Sequence, residues 1–166
     1  MESMVENNFD FWQGKRVLIT GHTGFKGAWL TLWLRILGAK VWGYSLEADT
    51  DPSLFEELNT DDNEFFKKNF FHNIGDILDQ RELNKVIEDC KPEVVFHLAA
   101  QALVRKSYSE TIKTWETNVI GSLKILESLR PLQNNCSVVM VTTDKVYKNN
   151  EWIYGYREIC LLYTSP

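Results

Sequence analysis

Short apolar runs recur along the chain, each followed by a segment whose apolar residues are spaced for a helix. Arg16 to Thr20, Lys40 to Ser45, Phe70 to Ile74, Val94 to Leu98 and Ser137 to Thr143 have the length and β-branched content of buried strands. Between them, Lys26 to Leu37 places Leu30, Trp33, Leu34 and Leu37 on one helical face, and Gly38 is a good terminator. Asp51-Pro52 opens a short helix, with an acid at the cap and proline at the first helical position. Asn59 to Lys68 is polar and reads as loop. Asp79 and Glu82 form a capping box ahead of a helix whose apolar face is Leu83, Val86, Ile87 and Cys90. A long helix from Glu110 to Leu129, closed by Pro131, repeats Ile112, Trp115, Val119, Leu123 and Leu126 at helical spacing. Residues 1–12 read as a leader, with Phe9, Phe11 and Trp12 placed to cover a sheet edge. Strands alternating with helices predict a parallel α/β sheet with right-handed crossovers.

The first strand runs directly into Gly21, Gly24 and Gly27, and a helix begins at once. This is the geometry of a diphosphate cradle. The first glycine permits the sharp turn, the second lets main chain approach the phosphates, and the third lets helix and strand pack closely. The helix start then turns free N–H groups and a positive dipole end toward the anion. Thr23, Phe25 and Lys26, on the same turn, join the glycines as candidate cofactor-binding residues. The competing reading is a tight turn between a core strand and a core helix. With this motif the fold class becomes a Rossmann-like doubly wound parallel sheet, expected to stop after about the fifth strand.

In such sheets ligands sit beyond the C-terminal ends of the strands. Ser45 ends the second strand where an acid would hold the adenosine ribose. Glu47 and Asp49 lie just beyond and can substitute, or are solvated loop charges. No arginine is near to receive a 2′-phosphate, so the pattern favours NAD over NADP. After the third strand, Asp76 is placed to accept the adenine amino group and Ile77 to fix the ring through its main chain; Asp76 read blandly is a loop residue. Leu98, Ala99, Ala100 and Gln101 follow the fourth strand, where small residues let a ribose and diphosphate lie against the backbone. Asn118 interrupts an apolar helix and must find partners, most simply a neighbouring main-chain group. Thr142, Thr143, Asp144 and Lys145 end the fifth strand; they can bind a sugar hydroxyl and move protons, or form a polar loop.

Composition narrows the partners. The chain has 166 residues, 44% of them hydrophobic and 25% charged, which suits one domain with a real core. A net charge of −5 and no basic run argue against nucleic acid. The apolar runs are too short to span a bilayer, and the acidic N-terminus resembles no targeting peptide. Cys90, Cys136 and Cys160 show neither a disulfide framework nor zinc spacing, so no metal site is expected and a reducing, cytoplasmic setting is.

The segments FWQGKRVLITGHTGFKGAWL, GDI, HLAAQALVRKSY, ETNVIGSLKILE, VTTDKVY and EWIYGYRE together resemble the extended short-chain dehydrogenases/reductases. Among these the chain looks most like the CDP-glucose branch of the sugar-nucleotide 4,6-dehydratases, in which lysine follows the Thr-Asp pair, as Lys145 does here. The resemblance implies NAD as cofactor and a nucleotide-sugar substrate, CDP-glucose. Hydride would pass from C4 of the hexose and return at C6 while water leaves across C5 and C6. Thr143 would bond the 4-hydroxyl, Asp144 would protonate the departing C6 hydroxyl, and Lys145 would assist proton removal at C5. As a base, Lys145 would need a lowered pKa. His97 reads as structural. Two helices per subunit would build a homodimer in the full-length parent, with the interface incomplete here. The family's Tyr-x-x-x-Lys pair is absent from these residues, since Tyr154, Tyr156 and Tyr163 have no lysine at that spacing. The expectation is a cofactor domain over residues 13–158, an atypical tail over 159–166 marking a truncation, and no turnover by the chain alone. Alternatives are another extended short-chain epimerase or dehydratase, and a non-catalytic NAD-binding domain.

Overall fold

The computed structural model describes residues 10–60, 62–132, 135–143 and 147–157. Strands β1 (Arg16–Thr20), β2 (Lys40–Ser45), β3 (Phe70–Ile74), β4 (Val94–His97) and β5 (Ser137–Met140) form one sheet in the order β3-β2-β1-β4-β5. All four pairings are parallel. The chain steps outward from β1 to β3, then crosses back to β4 on the other side of β1. That reversal opens a crevice above the C-terminal ends of β1 and β4.

β1 is central, and Val17 to Thr20 are fully buried. On one face Val17 and Ile19 pack with Val41, Val94 and Leu34 of helix α1 (Phe25–Ile36). On the other, Leu18, Tyr44 and Val95 pack with Leu83 and Ile87 of α4 (Gln80–Cys90) and Ile125 of α7 (Gly121–Leu129). A strand buried on both faces has no polar alternation, as the run VLIT predicts.

Helix α1 presents Gly27, Ala28, Thr31, Leu34 and Arg35 to the protein, while Trp33 is 64% exposed. The expected face was wrong for Trp33. The helix is apolar nearly all round, so periodicity cannot select its inner side, and the sheet takes the small residues that allow close approach. Gly38 closes α1 with φ +85°.

Between β2 and β3, helix α2 (Leu54–Leu58) is capped by Ser53, whose Oγ accepts from Glu56 N, rather than by Asp51. The expected loop contains a short helix, α3 (Glu64–Lys67), which seats buried Phe66 against Phe55 and Phe70. Asp79 caps α4 through the Arg81 and Glu82 amides, as expected, but Glu82 pairs with Lys85 instead of closing the box.

Helix α5 (Val104–Ser109) follows β4 and was not anticipated. The expected single long helix is α6 (Thr111–Trp115), a π-helical turn over Glu116–Ile120, and α7, followed by a 3₁₀ turn over Arg130–Leu132. It buries Gly121, Ile125 and Leu129 and leaves Ile112, Trp115 and Leu123 exposed. β5 ends at Met140, three residues before the expected end, although Val141 N still donates to His97 O. Of the leader, residues 10–12 form a 3₁₀ turn whose Trp12 packs against Phe96; Phe9 lies outside the described residues.

Candidate functional site

Three glycines shape the turn after β1, each for a different physical reason. Gly21 has φ +78°, and a Cβ there would lie 2.8 Å from Ala99 N, so both backbone and packing demand glycine. A Cβ on Gly27 would lie 2.1 Å from Gly21 O, because α1 presses directly on the turn. Gly24 differs. Its φ of −71° suits any residue, and a Cβ would meet nothing closer than Gly21 O at 3.4 Å. The protein itself does not require glycine at this position.

Gly24 lines a cavity of about 230 Å³ above the C-terminal ends of β1, β2 and β4. It is also the N-cap of α1, and no side chain caps that end. The free side of Gly24 and the uncapped helix start therefore meet at one hollow. That is the arrangement a dinucleotide diphosphate fits: main chain within reach and a partial positive charge facing the anion.

Of the expected site residues, Gly21, Thr23, Gly24, Ser45, Asp76, Ile77, Leu98, Ala99 and Ala100 all line this cavity. Thr23 is committed to the fold. Its Oγ1 donates to Leu46 O at 2.8 Å, so at 2.7 Å it accepts from Ser45 Oγ. The pair pins the end of β2 to the glycine turn, leaving Glu47 and Asp49, both lining the cavity, as its acids on that side. Asp76 Oδ1 accepts from Leu78 N at 2.9 Å, which fixes the carboxylate at the end of β3.

Tyr44 organises this wall and was missed from sequence. It is buried, its carbonyl accepts from Gly21 N, and its hydroxyl donates to Asp76 O at 2.8 Å. Burial first, then Asp79, Asp76 and Glu82, push its pKa up to about 12, so it stays a donor. A Cβ on Gly75 would lie 2.4 Å from the Tyr44 ring, which explains the glycine of the GDI triplet. The visible signal was that glycine beside a tyrosine one residue before Ser45. Lys113 and Thr117 also line the cavity, from the helix that passes over it. Nothing in the local sequence marks them, because only the crossover places that helix there.

Other expected residues lie elsewhere. Phe25 and Lys26 put their side chains on the outer face of α1 with Trp29 and Trp33, and Phe25 is 72% exposed. Gly27 is covered by the turn. Gln101 and Asn118 do not line the cavity. Asn118 Oδ1 accepts from Gln101 N at 2.8 Å, and Asn118 Nδ2 donates to Gln101 O at 3.1 Å, the main-chain pairing expected of an asparagine in an apolar helix. The π turn carries this asparagine, a frequent association of π-bulges with functional sites. Thr142 and Thr143 are exposed beyond β5 and do not line the cavity. Because His97 pairs with Met140, they leave the sheet at the same edge as Leu98 and Ala99. Asp144 and Lys145 lie outside the described residues.

His22, between two site residues, turns away from the cavity. Its Nε2 is 2.7 Å from His72 Nδ1, and its ring packs edge-on to Phe55 and Phe70. Burial and then the neighbouring His72 push its pKa down to about 3, opposed in part by the Tyr44 main chain. Burial lowers the pKa of His72 as well, so both imidazoles are biased toward the neutral form. No cluster of metal-ligating side chains occurs among the described residues, and no described helix is long and apolar enough to cross a membrane.

Known proteins resemble the chain over nearly its whole length. A profile for the family described as GDP-mannose 4,6 dehydratase matches residues 18–154. The CDP-glucose 4,6-dehydratase of Salmonella typhimurium is 51% identical over 155 residues, covering 93% of this chain and 41% of that protein. Among solved structures, an epimerase from Methanothermobacter thermautotrophicus superposes with a TM-score of 0.76 at 28% identity, over 95% of this chain and 43% of the other. A UDP-glucose 4-epimerase from Thermus thermophilus in complex with NAD gives 0.69 at 25% identity, over 89% of this chain and 44% of the other. The chain thus spans about two fifths of the length of these relatives. A profile match across the sheet and the cavity wall, with the glycine turn intact, places the chain in the GDP-mannose 4,6 dehydratase family of extended short-chain dehydrogenases/reductases.

Proposed function

We propose that this chain is the NAD-holding part of a sugar-nucleotide 4,6-dehydratase that acts on CDP-glucose. The observation that carries the reading is Gly24, a glycine required by neither backbone nor packing that lines the cavity at the helix start. The substrate assignment rests on the likeness to the Salmonella CDP-glucose 4,6-dehydratase and on lysine after Thr143-Asp144.

When bound, NAD supplies the acceptor for hydride from C4 of the hexose and returns it to C6. The chain's residues supply most of the remaining roles. Gly21, Gly24 and the first turn of α1 hold the diphosphate. Asp76 and the Ile77 main chain hold the adenine, and Glu47 or Asp49 the ribose hydroxyls. Ala99 and Ala100 leave room for the second ribose. Thr143 bonds the 4-hydroxyl, Asp144 gives a proton to the leaving C6 hydroxyl, and Lys145 assists removal of the C5 proton. The 166 residues contain no Tyr-x-x-x-Lys pair to take the 4-hydroxyl proton, so the chain by itself binds dinucleotide without turnover. In the full-length parent, homodimers form with the exposed face of α6 and α7 as part of the interface.

Titration calorimetry with NAD, NADP and CDP-glucose tests the reading. NAD binding, weaker NADP binding and no 4-keto-6-deoxy product are expected; absence of NAD binding overturns it. In a longer version carrying a Tyr-x-x-x-Lys pair, deuterium at C4 of CDP-glucose should appear at C6 of the product. A C4 epimer with deuterium back at C4 would assign an epimerase instead.

A further inference from the structure

The loop after β4 is held from two sides by side chains that form one continuous chain of hydrogen bonds. Their directions follow from proton counting. Ser122 Oγ donates to Asn118 O at 2.7 Å. It has one proton, so at its 3.1 Å contact with His97 Nε2 it can only accept. His97 therefore carries its proton on Nε2, and Nδ1 accepts. Thr20 Oγ1 supplies the donor to Nδ1 at 2.7 Å, and its own lone pair accepts from Ala99 N at 3.3 Å. At the other end, Asn118 brackets the Gln101 main chain through both atoms of its amide. Thr20, at the end of the strand that feeds the glycine turn, is thus linked through His97 and Ser122 to the π turn, and both ends of Ala99–Gln101 are fixed.

We propose that His97, fixed as its Nε2–H tautomer, is a positioning residue that sets the Ala99–Gln101 wall of the dinucleotide site against the π turn. His97 does not itself line the cavity and acts through Thr20 and Ser122. The ring is buried, and burial holds its pKa below the usual histidine value, so the neutral form that this network needs is the stable one. The π turn gains a purpose from the same geometry. It carries the Asn118 carbonyl that receives the Ser122 proton together with the Asn118 amide that clasps Gln101. This inference rests on the cavity being the NAD site, but the network exists without ligand and is tested without it.

Ser122→Ala removes the acceptor for His97 Nε2–H, and Thr20→Val removes both the donor to Nδ1 and the acceptor for Ala99 N. Hydrogen exchange on the ligand-free chain should show the Ala99 and Gln101 amides exchanging about tenfold faster in each variant. Ser122→Thr, which keeps the hydroxyl, should restore protection. Imidazole nitrogen resonances of the unaltered chain at pH 7.5 should place the His97 proton on Nε2. NAD affinity should fall about tenfold in Ser122→Ala and recover in Ser122→Thr. Unchanged exchange in both variants, or a proton on His97 Nδ1, overturns the inference. Altered exchange in a chain that binds no NAD would refute the cofactor reading and leave the network standing.

Discussion

Gly24 and Gly27 look alike in sequence and should behave as opposites. Gly27→Ala drives a methyl into Gly21 O at 2.1 Å, against main chain that cannot swing aside. The expected loss is about 1–3 kcal/mol or more, read as a fall in the urea midpoint. Gly24→Ala meets no such wall. Its cost to folding is about 0.5–1 kcal/mol, from a poorer helix cap. Its NAD affinity should nevertheless drop at least about tenfold, since the added methyl stands where the phosphates lie. Calorimetric binding equal to that of the unaltered chain would remove the phosphate role from this glycine. The spacing of the three glycines was legible from sequence; which ones serve the fold and which the ligand was not. That distinction depends on what lies opposite each Cα, and Ala99, opposite Gly21, is 78 residues away in the chain.

At the scale of elements, the β2–β3 edge owes its packing to His22. The ring lies against Gly43, where a Cβ would be 2.4 Å away, and among Phe55, Phe70 and His72. The folded pKa is depressed to about 3, with His72 and His97 shifted in the same direction by burial. The unfolded chain therefore binds protons near pH 6.5 that the native chain refuses, and stability must fall as pH drops from about 6.5 toward 3. Urea melts at pH 7 and 5.5, above most carboxylate titration, should show a lower midpoint at 5.5. Equal midpoints would mean the histidines are not held neutral. Strand starts were read well, because a buried parallel strand needs an unbroken apolar run. The ends of β1, β2 and β3 were equally legible, but those of β4 and β5 and the π turn were not, because they are set by the partner: β5 stops where β4 does.

At the scale of the molecule, two apolar helix faces stand exposed among the described residues. One is the outer side of α1, with Trp29 and Trp33; the other is the stripe of Ile112, Trp115, Leu123 and Leu126. The stripe follows a helical repeat as regular as any core face, yet the core takes Ile125 and Leu129 from the same helix. We expect concentration-dependent association, measured by sedimentation, that Leu123→Glu weakens without lowering the melting temperature, since Leu123 is 57% exposed. Association unaffected by that change would locate the contact elsewhere.

The sequence alone determined the alternation of strands and helices, the turn that follows β1 and the type of ligand that turn suits. These are local matters of hydrophobic period, glycine spacing and caps. Only the tertiary structure decided which helix faces meet the sheet, that Tyr44, Lys113 and Thr117 join the cavity, and that His97 bridges Thr20 to Ser122. Those contacts are made across crossovers of many residues, and side chains that meet only when the sheet assembles leave no period in the chain.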